Sequence, residues 1–250
     1  MTEIKSRKNP VIGHIRKLNE KRSYRYECGE FVCDGRKLYR EALSAGAKIT
    51  SVLLEENSTD VEIPAGAKAY VVDAEMLRYA SRLETPTDML FTCAMPADTM
   101  PRELSGSVLV LDGVQDPGNV GTILRTAEAF SVDCVALLEG CADPYNPKTV
   151  RSTMGAVFRQ KFFSTDLETL KAALERSAMP LYASALSERA VSVLDADLKN
   201  AAVAVGSEGQ GLSRRLLDMC RGEIIIPMNP ESESLNAAVA ASVLMWEMYR

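Results

Sequence analysis

Residues 201–213 read AAVAVGSEGQGLS, an apolar run that ends in three glycines with Glu208 between the first two. The run has the make-up of a strand buried on both faces, and the glycines that of a loop whose backbone comes close to something. Glycine loops after strands often hold phosphates, but a phosphate loop carries a lysine where this one has an acid. The order G-x-x-G-x-G reverses the dinucleotide fingerprint, and no Gly-Lys-Ser/Thr follows it. The plain alternative is a tight turn from strand to helix, with Ser213 as the helix cap.

Around the loop, strands and helices alternate. Apolar runs at 107–114, 134–140, 161–165, 181–185 and 223–228 predict strands, and 118–130 a helix with apolar residues at 120, 123, 124, 127 and 130. Further helices are expected near 148–158, at 167–178, at 213–220 and at 234–250. Continuous apolar strands between amphipathic helices predict a mainly parallel sheet covered on both faces, with ligands outside the strands' carboxyl ends. Upstream, the stretch AMPADTMPRELSGS (94–107) has two prolines, a glycine and no apolar period, and is the best linker in the chain. Before it, helices at 9–21, 35–45 and 74–83 and strands at 30–35, 50–56, 67–73 and 89–95 make a small α/β domain. The expected fold class is therefore α/β, with one domain over residues 1–96 and a mainly parallel-sheet domain over 106–250.

The 250 residues, 46% hydrophobic and 25% charged, are those of an ordinary globular protein, and no run approaches the roughly 20 apolar residues of a membrane span. The start, MTEIKSRKNP, lacks a signal peptide's apolar core, so a cytoplasmic protein is expected. Six cysteines with no C-x-x-C pair and a single histidine, His14, argue against a zinc site and for buried free thiols. The net charge of −5 argues mildly against a nucleic-acid partner, yet residues 1–40 hold eleven Lys or Arg against five acids. That excess is either a solvated helix face or a basic face for a polyanion, and charge alone does not choose.

Three segments decide more: DPGNVGTILRTAEAF (116–130), AVGSEGQGLS (204–213) and IIIPMNPESESLNAAVAA (224–241) each start at or after a strand end and enter a helix. In register and in order, they resemble the signature motifs of the SpoU/TrmH family of RNA ribose 2′-O-methyltransferases, within the SPOUT superfamily. The Asn119-to-Arg125 spacing matches the first motif, GSEGQGLS the second, and IPM followed by SLN the third. The first half resembles the ribosomal-protein-like substrate-binding domain found ahead of such catalytic domains. The resemblance implies a C-terminal trefoil knot, a homodimer through the C-terminal domain and S-adenosylmethionine as cofactor. That ligand has a sulfonium cation and no phosphate, so backbone contacts are needed, a lysine is not, and a carboxylate is tolerated.

The resemblance also implies roles, residue by residue. Gly206, Ile226 and Leu235 match cofactor contacts, with Gly211 and Met228 as neighbours; the plain alternative for Ile226 and Leu235 is core. Arg125 matches the residue that activates the ribose hydroxyl. A guanidinium with a pKa above about 12 is almost never deprotonated, so Arg125 is expected to bind the adjacent phosphate and stabilise the developing alkoxide. Asn119 is expected to orient Arg125 or the substrate, or to cap its helix. Glu208, Ser234 and Asn236 match polar positions near the reaction centre, with Ser234 equally placed to cap the last helix. Arg151, in NPKTVRSTMGA, is a candidate RNA phosphate contact. The last helix supports a dimer, since its apolar and small residues from Leu235 to Trp246 exceed a narrow stripe.

Two other classes of function stay open at this point: a non-enzymatic RNA-binding module, and a nicotinamide-dependent oxidoreductase. The intact motif residues count against the first, and the misplaced glycine loop against the second. The RNA is expected to be ribosomal rather than transfer RNA, by analogy with the first domain.

Overall fold

The structure is a computed structural model that describes residues 1–58, 60–81, 87–97, 99–229, 231 and 234–250. The first elements are β1 (Thr2–Glu3), α1 (Pro10–Glu20), α2 (Arg22–Cys28), β2 (Glu30–Asp34), α3 (Arg36–Ser44), β3 (Ile49–Glu55), β4 (Lys68–Val72), α4 (Ala74–Ser81) and β5 (Met89–Ala94). Then come β6 (Val108–Asp112), α5 (Pro117–Ala129), β7 (Cys134–Leu137), α6 (Pro147–Ser152), β8 (Phe162–Ser164), α7 (Leu167–Arg176), β9 (Leu181–Ser184), β10 (Val191–Ser192), β11 (Ala202–Gly206), α8 (Arg214–Leu217), β12 (Gly222–Ile225) and α9 (Ala237–Tyr249).

Short polar side chains start the helices. Asn9, Asp116, Asn146, Asp166 and Asn236 each accept a bond from a first-turn backbone N–H, and Pro10, Pro117 and Pro147 follow three of them. Three short elements were not expected from the sequence: β1, α2 and β10. The helix expected over 148–158 is broken, because Met154 and Gly155 adopt φ of 52° and 107°, and only a 3₁₀ turn resumes at Ala156–Phe158. The helix expected to reach Leu83 is described to Ser81; Arg82 and Leu83 lie outside the described residues, as does Asp98 in the linker.

The chain forms two compact units: Met1–Ala97 with Asp143–Phe158, and Asp98–Ala142 with Arg159–Arg250. In the first, a mixed sheet has the order β1-β4-β3-β5-β2, with β5 antiparallel to both neighbours. Ile12, Ile15 and Leu18 of α1 and Met76, Leu77 and Ala80 of α4 bury one face against Val32, Leu53 and Leu90.

Residues 143–158 are held in this unit by charge and by rings. Arg25, 2% exposed, donates from Nε and Nη2 to Asp143 Oδ2 at 3.0 and 2.5 Å, and from Nη1 to the Leu18 carbonyl at 2.6 Å. Asp143 Oδ1 accepts from the Tyr145 N–H at 3.0 Å and the Tyr26 hydroxyl at 3.2 Å. Burial and the Asp143 carboxylate push the Tyr26 hydroxyl up to about 12, so it stays a donor at neutral pH. Phe31 packs against Tyr145 and Phe158, with ring centroids 4.9 and 6.2 Å away. Removing one partner of a buried pair strands the other charge, typically costing about 3–5 kcal/mol. Asp143→Ala should therefore lower the urea midpoint strongly; an unchanged midpoint would show that Arg25 is solvated some other way.

The basic excess of residues 1–40 is partly internal. Lys5, Arg7, Arg16, Arg25 and Arg36 are each paired with a carboxylate, while Lys17 and Arg22 lie over the rings of Tyr24 and Tyr26. All six cysteines are free; Cys33, Cys93, Cys134 and Cys141 are buried, whereas Cys28 is exposed against expectation and Cys220 half-buried. Burial pushes the thiols of Cys134 and Cys220 up to about 11 and 12, which keeps them protonated. Among the described residues no cluster of metal-ligating side chains occurs, and no helix is long and apolar enough to cross a membrane.

In the second unit seven strands, all parallel, take the order β10-β12-β9-β11-β6-β7-β8. Leu109, Leu111, Val203 and Val205 face α5 and α9. The alternate residues Val108, Val110, Ala202 and Ala204 face α7. Both faces are buried, which is why these strands are apolar at every position before their carboxyl ends. From β6 the chain builds outward through β7 and β8, then crosses to the far side of β11. The carboxyl ends of β6 and β11, Asp112 and Gly206, are register partners at this switch point.

Candidate active site

The glycine loop closes on itself. Ser207 and Gly211 exchange backbone bonds, 3.2 Å from the Ser207 N–H and 2.9 Å from the Gly211 N–H, and the Gln210 N–H reaches Ser207 Oγ at 3.2 Å. Gly211 has a φ of +66°, which favours glycine. A Cβ on Gly206 would lie 2.2 Å from the Gly211 carbonyl carbon and 2.5 Å from the Leu212 nitrogen. The close approach expected from the sequence is thus between the loop and its own first residue. Asp112 Oδ2 accepts from the Ser213 N–H at 2.7 Å and ties the loop's exit to β6. Ser213 precedes α8, but its side chain makes no capping bond.

Beside the loop, at the carboxyl ends of β9, β11 and β12 and the start of α9, is a pocket of about 380 Å³, within the range of about 300–1,000 Å³ for small-molecule sites. Gly206, Gly211, Ile226, Met228 and Leu235 all line it, together with Glu208 and Ser234. Two of the three motif segments therefore line the pocket, joined by Ser184, Ala185 and Leu186 after β9, which no motif covered; Pro230, Ser232 and Glu233 in the last segment lie outside the described residues. Ile226 and Leu235 are half-buried and border the pocket, and Ile226 also packs against the core beneath it. Among the described lining residues none is basic, and Glu208 is the only ionisable one. Such a lining offers a phosphate no cation, and it suits a ligand with an apolar body and a positive charge. S-adenosylmethionine fits that description.

At the pocket's edge Asn119 links two of the loops. Its Nδ2 donates to Glu208, and its Oδ1 accepts from Asn236 Nδ2 at 3.3 Å. Asn119 is not a helix cap: Asp116 holds that place and accepts from the Asn119 N–H at 2.9 Å. Nor does Ser234 cap α9; Asn236 does, accepting from the N–H groups of Ala238 and Val239 at 2.9 and 3.3 Å.

Arg125 stands apart. It is exposed, lines no part of the pocket and makes no ion pair with a described residue. Asn119 does not orient it in this structure, because six residues along a helix of about 3.6 per turn leave the two side chains about 120° apart. Arg151 belongs to the other unit, where it lies 3.5 Å from Asp34 Oδ2. Sequence reasoning missed Asp112, whose only signal is an acid at a strand end before a glycine.

A glycine turn and apolar loops at the switch point of a parallel sheet, with one tethered carboxylate and no basic side chain in the described lining, make a small-ligand site on an α/β domain. Residues 106–246 match the SpoU rRNA Methylase family and residues 9–90 the MRM3-like substrate binding domain. The chain belongs to the SpoU rRNA methylase family, and it is an S-adenosylmethionine-dependent RNA 2′-O-methyltransferase. It is 31% identical to the 23S rRNA (guanosine(2553)-2′-O)-methyltransferase RlmP of Bacillus subtilis, covering 99% of each chain. A TrmH-family structure from Porphyromonas gingivalis matches at TM-score 0.87 and 31% identity over 98% of each chain. An AdoMet-bound rRNA methyltransferase from Sinorhizobium meliloti matches at TM-score 0.88 and 27% identity, over 99% of this chain and 97% of that one.

Proposed function

We propose that the protein methylates a ribose 2′-hydroxyl of ribosomal RNA, with residues 1–96 holding the RNA and residues 106–250 carrying the transfer. The observation that carries this reading is the pocket with no basic side chain in its described lining, whose one carboxylate, Glu208, is tethered through Asn119 to Asn236. The name of the B. subtilis relative, a 23S rRNA enzyme, supports ribosomal over transfer RNA.

Gly206, Gly211, Ile226, Met228 and Leu235 would hold S-adenosylmethionine, which supplies an electrophilic methyl group. The chain must supply the rest. A ribose hydroxyl is a weak nucleophile until its proton leaves, and Glu208 is the ionisable group at the pocket able to accept a hydrogen bond from it. Asn119 and Asn236 restrict that carboxylate, and Ser234 adds a hydroxyl to the same wall. Arg125 and Arg151 would bind RNA phosphates, Arg125 also stabilising the developing alkoxide.

The match of residues 106–246 to the SpoU family supports the C-terminal trefoil knot. Exposed Val239, Trp246 and Tyr249, with Phe130 edge-on to the Trp246 ring and tilted against that of Tyr249, support a homodimer through the C-terminal domain. A cytoplasmic location goes with the RNA substrate. Labelled methyl transfer tests the proposal: ribosomal RNA should accept methyl groups, and DNA of the same sequence, lacking the reacting oxygen, should not. Equal transfer to both would overturn it.

A further inference from the structure

The sheet face covered by α1 and α4 is apolar until its last row. There Lys68, Ser51 and Thr92 are register partners across β4, β3 and β5. A bulge between Ile49 and Ser51 brings Thr50 to the same place, and such bulges re-aim side chains. Thr50 and Ser51 reach Thr92 Oγ1 at 2.6 and 2.7 Å, and Thr50 Oγ1 also donates to the Thr92 carbonyl at 3.2 Å. Thr92 is 1% exposed. This hydroxyl trio lies along a groove of about 520 Å³, walled by Val11 and His14 of α1. Lys48 and Lys68 line the groove too; both are exposed, and neither is paired with a described carboxylate. The one acid in the lining, Glu30, is bonded to His14 Nε2 at 2.8 Å.

One arrangement of protons satisfies all three contacts: Thr50 donates to the Thr92 carbonyl, Thr92 to Thr50 and Ser51 to Thr92. All three O–H groups are then used, and what Thr50 and Ser51 still offer the groove is lone pairs. A ligand that fits brings a hydrogen-bond donor to the trio and negative charge to the two lysines. A ribose 2′-hydroxyl between backbone phosphates has both, and deoxyribose lacks the donor.

We propose that this groove is an RNA-backbone site: Lys48 and Lys68 take phosphates, and the Thr50–Ser51–Thr92 trio accepts a hydrogen bond from a ribose 2′-hydroxyl. The proposal rests on the RNA methyltransferase reading above, and names a surface of the first unit through which substrate is held.

The test uses the full chain, a mixed-sequence single-stranded RNA and the DNA of the same sequence, with affinity followed across salt concentrations. The pair Lys48→Glu with Lys68→Glu, and the milder Lys48→Gln with Lys68→Gln, should weaken RNA binding and reduce the salt slope by about 1.4, or about 0.7 per lost single-strand phosphate contact. Ser51→Ala should lower RNA affinity but leave DNA affinity unchanged. S-adenosylmethionine binding and Tm should stay at the parental values in every variant. Unchanged RNA affinity and slope in both lysine pairs, or equal loss of RNA and DNA binding in Ser51→Ala, would overturn the proposal. Parental protein that binds no RNA would overturn the methyltransferase reading itself, and the groove with it.

Discussion

Arg125→Ala should lose methyl transfer by about 10²–10³-fold, the usual cost of removing one group that stabilises transition-state charge. Donor binding and Tm should stay near the parental values, because Arg125 is exposed, lines no part of the pocket and holds no described carboxylate. Arg125→Lys keeps the charge and loses the planar fork, so it should recover little if phosphate is gripped at two points. The structure sharpens this test. Asn119 is bonded to Glu208 and Asn236 rather than to Arg125, so nothing on α5 fixes the guanidinium before RNA arrives. The loss should therefore fall on turnover with RNA and leave the donor's Kd alone. Near-parental turnover would return Arg125 to the helix surface and leave Glu208 as the group acting on the hydroxyl.

Six of the seven strands of the second unit were legible because a parallel sheet buried on both faces leaves runs such as Val108–Asp112 and Ala202–Gly206 almost wholly apolar. Their order was not. Nothing local says that β9 lies beyond β11 rather than beside β8, since that choice is made by the crossover and not by composition. α2 was missed for a similar reason: Arg22–Cys28 has no apolar period, and its one buried side chain, Arg25, answers to Asp143, far along the chain. The same pair explains why residues 143–158, inside the stretch that matches the methylase family, pack with the first unit. Of the pocket residues, Gly206, Glu208, Gly211, Ile226, Met228, Ser234 and Leu235 were singled out only through the motifs read together, and Ser184, Ala185 and Leu186 were missed. The motifs implied that Glu208, Asn119 and Asn236 belong to one site, while the bonds among them, and Asp112 beneath the loop, needed the fold.

The glycines of the loop make a graded series that separates a cofactor cradle from a mere turn. At Gly209 a Cβ would meet nothing within 4 Å, so Gly209→Ala should bind S-adenosylmethionine as the parent does. At Gly211 the space is open but φ is +66°, so Gly211→Ala carries left-handed backbone strain of roughly 1–2 kcal/mol and a modest loss. At Gly206 the Cβ would sit 2.2 Å from the Gly211 carbonyl carbon and 2.3 Å from its oxygen, so backbone must give way. The bonds between Ser207 and Gly211 cannot survive that shift, and with them goes the wall that Gly206, Glu208 and Gly211 give the pocket. Gly206→Ala should weaken donor binding about a hundredfold or more, or about 2.8 kcal/mol. Calorimetry with S-adenosylmethionine reads all three variants, and thermal melting shows whether the sheet beneath stays folded. Parental affinity in a folded Gly206→Ala protein would mean that the donor is held elsewhere and that the loop only turns the chain.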